Sequence, residues 1–348
     1  MNVADRLGLT WEVRADPFDH GLPPLAVRDN PRRAHLVVSP YLAKHIPVRP
    51  SKAFRRASEL ASLVELESPL VLGFCETATG LGRAVAAALG SDVVCTTRRP
   101  VAAPLATFEE EHSHATSHYL PGPPDLFDDD RPLVLVDDEL TTGTTALNTI
   151  AALPPRSSYV LASLLDLRSD EAREAFEKRA ASMGVDVRVV ALMDAVLHLP
   201  ADVLERGAAL RDELMGRVSR PGPMPEESSR CLVRHGGLAE TPSGAVLVLG
   251  TEECMDPANR LALELEQQGV DVHVQSTTRS PVLPCDEAPY AIRNAISFPS
   301  TEDGARTAFL YNLREHDEIV VVTDCGAEAA GPLATELSAW AEKVTVLA

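Results

Sequence analysis

The hydrophobic pattern alternates along the chain between short, uninterrupted apolar runs and segments with helical spacing. Short apolar runs lie within residues 69–74, 92–96 and 133–136, each without the polar alternation of a strand that faces water. Such runs are typical of parallel strands that are buried on both faces. Between the first two runs, residues 79–89 carry their apolar side chains on one helical stripe. The pattern therefore predicts an α/β fold built on a doubly wound parallel sheet.

The same alternation begins again near residue 245, after a stretch rich in proline and glycine. Because such stretches commonly connect folded segments, we expect three parts: a first domain at 1–216, a linker at 217–240 and a second domain at 241–348. Both domains are expected to be doubly wound parallel-sheet domains.

A short motif recurs in the two predicted domains. Thr-Thr-Arg-Arg-Pro at 96–100 is matched by Thr-Thr-Arg-Ser-Pro at 277–281, each at the end of a predicted strand. One interpretation is a duplicated domain whose second copy has degenerated, since the second copy has no threonine-rich loop after its last apolar run. The other is two unrelated domains that share a general strand pattern.

The stretch from 133 to 145 joins a buried strand, two acids and a threonine-rich loop. Asp137 and Asp138 are acceptors suited to a pair of vicinal hydroxyls at the carboxyl end of a strand. The loop precedes a predicted helix and offers backbone N–H groups and hydroxyls to a phosphate. The loop residues are Thr141, Thr142, Gly143, Thr144 and Thr145. Together they predict a ribose 5-phosphate site, the alternative being an ordinary acidic turn and a capped helix.

Composition narrows the class of partners. The net charge of -19 disfavours nucleic acids and anionic membranes, which both require a basic protein surface. We find neither an apolar run long enough to span a bilayer nor a leader pattern, and therefore expect a cytoplasmic protein. The 6 cysteines lie singly along the sequence, which favours reduced thiols over disulfides or a zinc site.

The stretch 133–145 resembles the phosphoribosyl-pyrophosphate (PRPP) motif of type I phosphoribosyltransferases. That motif is an apolar strand, two acids, two variable residues and a T-[TA]-G-x-[TA] loop, and every position matches. Five further segments are similar to the phosphoribosyltransferase of bacterial tellurite-resistance and stress gene clusters: 30–33, 44–47, 73–79, 96–98 and 111–114. Residues 278–281 resemble the signature that names the carboxy-terminal TRSP domain of that family.

The resemblance implies a type I phosphoribosyltransferase fold in the first domain and a related, degenerate α/β domain in the second. It implies transfer of a 5-phosphoribosyl group from PRPP to a small nitrogenous acceptor, with release of pyrophosphate. Asp137 and Asp138 would bind the ribose, and the threonine-rich loop the 5-phosphate. Mg²⁺ is the expected cofactor, held by the two acids through water or through PRPP. The oligomeric state stays open, with a homodimer as one option.

The resemblance also assigns a pyrophosphate loop after the first strand. Its residues are Cys75, Glu76, Thr77, Ala78 and Thr79. The alternative is a helix cap provided by Thr77 or Thr79. Arg98 and Arg99 open the long segment 100–130, which would close over the site. We interpret both arginines as catalytic candidates that neutralise the leaving pyrophosphate, the alternative being a solvated basic pair. Glu76 is a further catalytic candidate, which could contact the Mg²⁺ carried by PRPP.

Three histidines lie close together in the long segment: His112, His114 and His118. Their spacing allows a metal site with nearby glutamates, general acid or base chemistry, or an ordinary solvated loop. Of the three, His114 is the catalytic candidate.

The sequence narrows the range of possible acceptors but does not identify one. Thr141 stands where enzymes for 6-oxopurines usually have aspartate, so the resemblance disfavours hypoxanthine and guanine. Asp166 and Arg168 follow the next predicted strand, where the base is often bound. An exposed acid–base pair explains these two residues equally well.

The second domain contains a further ligand candidate, formed by Thr277, Thr278, Arg279 and Ser280. Arg279 could hold an anionic group, or it could form a helix cap or an ion pair. The main functional alternative is a PRPP- or nucleotide-binding regulator without turnover. A kinase similar to PRPP synthetase is disfavoured, because there the intact motif lies in the second domain.

Overall fold

The structure is a computed structural model that describes residues 1–109, 117–216, 230–234, 238 and 240–348. Its strands are β1 (Thr10–Ala15), β2 (Leu25–Arg28), β3 (His35–Val37), β4 (Leu70–Gly73), β5 (Val93–Cys95), β6 (Ala106–Glu109), β7 (Ser117–Leu120), β8 (Leu133–Leu140), β9 (Tyr159–Asp166), β10 (Val187–His198), β11 (Arg230–Arg234), β12 (Ala245–Gly250), β13 (Asp271–Ser276), β14 (Val282–Leu283), β15 (Ala295–Pro299), β16 (Thr307–Tyr311), β17 (His316–Val322) and β18 (Ala341–Leu347). Its α-helices are α1 (Val3–Leu7), α2 (Pro50–Ser62), α3 (Ala78–Leu89), α4 (Thr144–Ala152), α5 (Asp170–Ser182), α6 (Val203–Met215), α7 (Met255–Gln267) and α8 (Ala327–Leu337). Within the described ranges, none of these helices has the length and apolar character needed to cross a membrane.

The chain divides into two compact units, each built from more than one segment. The amino-terminal unit comprises 11–21 and 54–198, and the carboxy-terminal unit comprises 1–10, 22–53 and 199–348. These units do not coincide with the predicted domain boundaries. In the carboxy-terminal unit, β2 pairs with both β3 and β14, so this early segment is joined by a sheet to the strand that follows Thr278. Most of the predicted linker at 217–240 lies outside the described residues. Within it, Arg230–Arg234 forms strand β11.

The amino-terminal unit is organised around a six-stranded sheet of order β1-β10-β9-β8-β4-β5. The strands from β10 to β5 are parallel to their neighbours. Their apolar residues are almost completely buried, as a parallel sheet covered on both faces requires. Helix α3 packs on β4, β5 and β8. The carboxyl ends of β4, β5 and β8 therefore lie side by side.

The carboxy-terminal unit contains a five-stranded parallel sheet of order β11-β18-β17-β12-β13. The two faces of β12 bury alternate residues in different clusters. Leu247 and Leu249 pack with α8 and the β15–β16 hairpin, whereas Val246 and Val248 pack with α7. Both domains are thus α/β with doubly wound parallel sheets, which confirms the predicted fold class.

The two sheets share the order of four strands, β9-β8-β4-β5 in one unit and β18-β17-β12-β13 in the other. In both units the first βαβ segment gives the inner strand and the edge strand, β4 and β5 in one unit and β12 and β13 in the other. An antiparallel hairpin follows each edge strand, β6–β7 or β15–β16, before the chain returns to the sheet as β8 or β17. This correspondence supports a duplicated domain over two unrelated ones.

The two units also share a hydrogen bond from the loop after the inner strand to a threonine after the edge strand. The Cys75 N–H donates to Thr96 Oγ1 at 2.9 Å, and the Glu252 N–H donates to Thr277 Oγ1 at 2.9 Å. The residue after each threonine pairs with the second strand of the hairpin: Thr97 with Tyr119, and Thr278 with Phe309. The recurring Thr-Thr-Arg motif therefore occupies equivalent positions in the two units.

Candidate functional site

The predicted ribose 5-phosphate site lies at the carboxyl edge of the sheet in the amino-terminal unit. Gly73 at the end of β4 pairs with Val136 in β8 and with Cys95 in β5. The Phe74 N–H donates to the Val136 carbonyl at 3.1 Å, and the Thr96 N–H donates to the Gly73 carbonyl at 3.0 Å. The three loops that follow these strands are thereby fixed next to one another.

The two acids lie inside β8 rather than after it. The apolar pattern predicted a strand that ends at Val136, but pairing with β9 continues to Leu140. Asp137 and Asp138 are both half-buried, and the Asp138 N–H donates to Asp137 Oδ1 at 2.9 Å. Because successive side chains of a strand point to opposite faces, the two carboxylates reach the edge from both sides of β8.

The threonine-rich loop turns sharply into α4. Gly143 stands at the N-cap position with φ 78° and ψ 6°, a left-handed conformation that glycine adopts without steric cost. Thr142 Oγ1 accepts a hydrogen bond from the Thr144 N–H at 3.2 Å. Thr141 is exposed, and Thr144 and Thr145 are half-buried in the first turn of α4. The loop thus brings hydroxyls and the N-terminus of a helix to one place, as an anion site needs.

A buried layer that the sequence did not indicate lies behind Gly143. A Cβ on Gly143 would stand 2.6 Å from Phe176 Cδ2, so the loop lies directly on this ring. The Arg168 guanidinium covers Phe176, 4.9 Å from the ring centroid. Arg168 also forms a two-pronged ion pair with Asp166, at 2.9 and 2.8 Å.

Asp166 and Arg168 therefore differ from both sequence interpretations. Each is only 3% exposed, so they are neither a solvated pair nor a surface offered to a base. Arg173 adds a second cation, 3.2 Å from Asp166 and 2.6 Å from Asp194. This buried ion-pair network supports Phe176, and through Phe176 it supports the threonine-rich loop.

The predicted pyrophosphate loop connects β4 to α3. Its peptide bond between Cys75 and Glu76 is cis. Thr77 has helical dihedral angles, φ -67° and ψ -39°, whereas a capping residue is typically extended. This disfavours Thr77 as a cap. Ala78 and Thr79 are buried in the first turn of α3, where the Ala78 N–H donates to the Phe74 carbonyl at 2.9 Å.

Two glycines bring this loop close to the sheet. A Cβ on Gly82 would lie 2.8 Å from the Gly73 Cα, and a Cβ on Gly73 would lie 2.9 Å from the Ala78 carbonyl oxygen. The first turn of α3 can therefore pack directly on the end of β4. This close approach sets the loop's position next to β8.

The arginines follow the edge strand. Arg98 and Arg99 are half-buried, and the Arg99 N–H donates to Thr97 Oγ1 at 3.0 Å. The segment 100–130 is not a plain loop, because it contains the β6–β7 hairpin. His112 and the catalytic candidate His114 lie outside the described residues.

His118, the third histidine, lies in β7 and is only 1% exposed. The solvated interpretation is therefore wrong for this residue. Its Nδ1 lies 3.1 Å from Thr96 Oγ1. Across the described ranges, no three metal-ligating side chains cluster in a way that could hold a metal ion.

In the carboxy-terminal unit, the arginine of the ligand candidate lies near acidic side chains. Thr277 and Thr278 are buried, while the Arg279 Nε lies 3.8 Å from Glu252 Oε2 and the Arg279 Nη1 lies 3.7 Å from Glu302 Oε2. Burial raises the pKa of Glu252 to about 7, and the neighbouring Glu302 acts in the same direction. Arg279 thus faces two carboxylates of its own unit. Ser280 donates its N–H to Thr278 Oγ1 at 3.1 Å.

The carboxy-terminal unit also has a shorter turn in place of the phosphate loop. Helix α4 begins at Thr144, eight positions after Val136, whereas α8 begins at Ala327, five positions after Val322. The position of Asp137 is taken by Thr323, whose hydroxyl lies 3.0 Å from that of Thr251. The counterparts of Asp137 and of the threonine-rich loop are therefore both replaced.

Comparison with known proteins gives two matches to family models. The model described as "Phosphoribosyl transferase" matches residues 22–196, and the model described as "TRSP domain C terminus to PRTase_2" matches residues 231–337. No curated protein matches the chain.

Solved structures with similarity to the chain include two adenine phosphoribosyltransferases. The one from Rhodothermus marinus is 20% identical, with 41% of this chain and 80% of that chain covered and a TM-score of 0.32. The one from Trypanosoma brucei is 18% identical, with 45% and 74% covered and a TM-score of 0.32. Orotate phosphoribosyltransferase from Aeropyrum pernix is 23% identical, with 46% and 78% covered and a TM-score of 0.28.

Proposed function

Since the chain belongs to the phosphoribosyl transferase family and carries the TRSP domain at its carboxyl end, we propose that it is a PRPP-dependent phosphoribosyltransferase. The reaction moves a 5-phosphoribosyl group to a small nitrogenous acceptor and releases pyrophosphate. One observation carries this proposal. The acids of β8, the left-handed turn at Gly143 and the loop at 75–79 lie at one sheet edge, held by hydrogen bonds between neighbouring strands.

Each part of this edge has a distinct task in the reaction. The loop at 141–145 binds the 5-phosphate through backbone N–H groups and hydroxyls at the start of α4. Asp137 and Asp138 accept hydrogen bonds from the ribose hydroxyls and orient the ring. Their negative charge also favours the positive charge that develops at C1 as the bond to pyrophosphate breaks.

The leaving pyrophosphate must be bound on the other side of the ribose. The loop at 75–79 offers its backbone N–H groups there, and Arg98 and Arg99 supply the positive charge that an outgoing anion requires. Glu76, which lies in this loop, is proposed to contact the Mg²⁺ that accompanies the pyrophosphate. His114, outside the described residues, stays a candidate for general acid or base chemistry. The hairpin β6–β7 would shield the reacting centre from water, which would otherwise compete with the acceptor.

Mg²⁺ fits the donor set at this edge, since paired carboxylates suit a hard cation that also binds phosphate oxygens. Asp137 and Asp138 would hold it through water or through PRPP. When bound, the metal neutralises negative charge on the pyrophosphate. The cytoplasmic location, the homodimer and the link to tellurite resistance and stress stay predictions of the sequence.

Pyrophosphate release tests the proposal directly. The full chain is incubated with Mg²⁺, PRPP and a panel of nucleobases and related nitrogenous acceptors. We expect release above the acceptor-free rate with at least one acceptor, and no such release from the Asp137→Asn/Asp138→Asn variant. PRPP binding without release across the whole panel would favour the regulator without turnover. Failure to bind PRPP would contradict both functions.

A further inference from the structure

His118 lies at the centre of a small aromatic cluster beneath the predicted pyrophosphate loop. Its ring stacks on Phe108, the residue opposite it in the β6–β7 hairpin, with 5.1 Å between centroids and 9° between planes. Phe74, which begins the loop, meets the same ring edge-on at 6.2 Å. A histidine from the hairpin is thus packed against the loop.

A chain of hydrogen bonds joins His118 to the backbone of that loop. Thr96 Oγ1 accepts the Cys75 N–H at 2.9 Å and lies 3.1 Å from His118 Nδ1. Because the hydroxyl has one proton and already accepts from the loop, it can donate that proton to the ring nitrogen. This bond fixes the hydroxyl rotor with its lone pair toward Cys75. Cys75 Sγ is 3.6 Å from the same nitrogen.

The carboxy-terminal unit serves as a comparison within one chain. There the Glu252 N–H donates to Thr277 Oγ1 at the same 2.9 Å. The position that corresponds to His118, one residue before the bridge to the hairpin, is occupied by the buried Ala308. The bond from loop to threonine therefore forms in this fold without a histidine. At this position the edge that has the acids and the threonine-rich loop carries a buried imidazole, whereas the other edge carries alanine.

We propose that His118 is a positioning residue that orients the pyrophosphate loop through Thr96 and links the loop to the β6–β7 hairpin. This role rests on the proposed function. A loop that binds pyrophosphate through backbone N–H groups must hold them in one orientation before the ligand arrives. His118 supplies that order from the β6–β7 hairpin.

The role predicts a selective loss of affinity. PRPP and pyrophosphate both need the loop, whereas ribose 5-phosphate has no pyrophosphate and uses only the acids and the threonine-rich loop. Loss of one buried hydrogen-bond partner is expected to weaken the first two by about tenfold. The affinity for ribose 5-phosphate should stay unchanged.

The test is calorimetric titration of the full chain with PRPP, pyrophosphate and ribose 5-phosphate in the presence of Mg²⁺. His118→Phe keeps an aromatic ring against Phe108 but removes the nitrogen, and His118→Ala reproduces the residue of the carboxy-terminal unit. His118→Asn places an amide near Nδ1 and should restore affinity. Thr96→Val breaks the same chain of bonds at the loop itself, so the double variant with His118→Phe should bind PRPP no more weakly than Thr96→Val alone.

Selective loss in both His118→Phe and His118→Ala, with rescue by His118→Asn, would support the role. An equal loss for ribose 5-phosphate would make His118 a general structural residue, and unchanged PRPP affinity would remove the role altogether; both overturn this inference and leave the proposed function standing. A native chain that binds neither PRPP nor ribose 5-phosphate would instead overturn the proposed function, and this role with it.

Discussion

At the scale of single residues, the strongest expectation concerns the two acids of β8. Asp137→Asn with Asp138→Asn removes two charged acceptors, each worth about 1.5–3 kcal/mol in a hydrogen bond to a ligand hydroxyl. We expect PRPP affinity in titrations to fall by about 100-fold or more. Because both side chains are half-buried at a strand end, the melting temperature should change little.

Asp186→Asn is the matched control for this prediction. Asp186 is an exposed carboxylate just before β10, at the opposite end of the sheet. The control should bind PRPP as the native chain does. Native affinity in the double variant would show that the acids do not bind the ribose.

Gly143 permits a second prediction at this scale, and the structure changes its physical reason. The sequence suggested that a side chain there would take the space of the phosphate, as in Gly143→Val. The structure shows two other obstacles, the left-handed φ of 78° and the Phe176 ring, which lies 2.6 Å from the point that a Cβ would occupy. We expect Gly143→Ala to lower ribose 5-phosphate affinity at least tenfold and to destabilise the chain by about 2 kcal/mol or more.

Gly184→Ala separates the two obstacles. Gly184 also has a left-handed φ, of 72°, but a Cβ there would meet nothing within 4 Å. Gly184→Ala should lower the free energy of unfolding only by the cost of the left-handed conformation, about 1–2 kcal/mol. Ribose 5-phosphate binding should stay intact. If Gly143→Ala unfolds at the same denaturant concentration as Gly184→Ala, the contact with Phe176 is not important.

At the scale of elements, the sequence predicted what local patterns encode. Helix α3 was expected over 79–89 and spans Ala78–Leu89, because apolar spacing and a closing glycine are local signals. Strand β8 was cut short at Val136, because its continuation depends on pairing with β9 rather than on hydrophobicity. The β6–β7 hairpin was missed because each of its strands has only 4 residues, too few for a clear hydrophobic pattern.

The candidate site divides in the same way. Three parts of the site are each formed by neighbouring residues of the sequence, so a sequence motif could identify each of them. They are the acids, the threonine-rich loop and the loop at 75–79. Phe176 comes from a distant segment and acts through packing, which no spacing rule reveals. His118 was noticed as one of three close histidines, but its contact with Thr96 depends on how distant strands come together. Asp166 and Arg168 were noticed and left open between a base contact and an exposed pair, because their burial cannot be read from two residues alone.

At the scale of the whole molecule, the carboxy-terminal unit combines the shared strand order with a changed set of charges. Its edge lacks the threonine-rich loop and one acid, and Arg279 faces Glu252 and Glu302. The amino-terminal unit is therefore the one expected to bind PRPP. The side chain of Glu252 is fully buried, and its burial should be visible in the stability of the chain.

The pH dependence of unfolding tests this view of Glu252. Its pKa is raised from 4.5 to about 7 in the folded chain, chiefly by burial. A carboxyl with a raised pKa favours the folded state at low pH, and that contribution is lost as pH rises from about 4.5 through about 7. Glu252→Gln mimics the protonated acid, so it should become more stable than the native chain by up to about 3 kcal/mol as the pH increases over this range.

Denaturant unfolding at pH 5 and pH 8 measures this difference. Glu253→Gln, the neighbouring residue in the same loop, is the control and should leave the pH dependence unchanged. PRPP affinity should be the same in both variants, because Glu252 belongs to the other unit's sheet edge. A native-like pH dependence in Glu252→Gln would mean that Arg279 holds Glu252 ionised as a simple buried ion pair. Arg279→Ala would then destabilise the chain most at high pH, where it leaves that carboxylate buried without its cation.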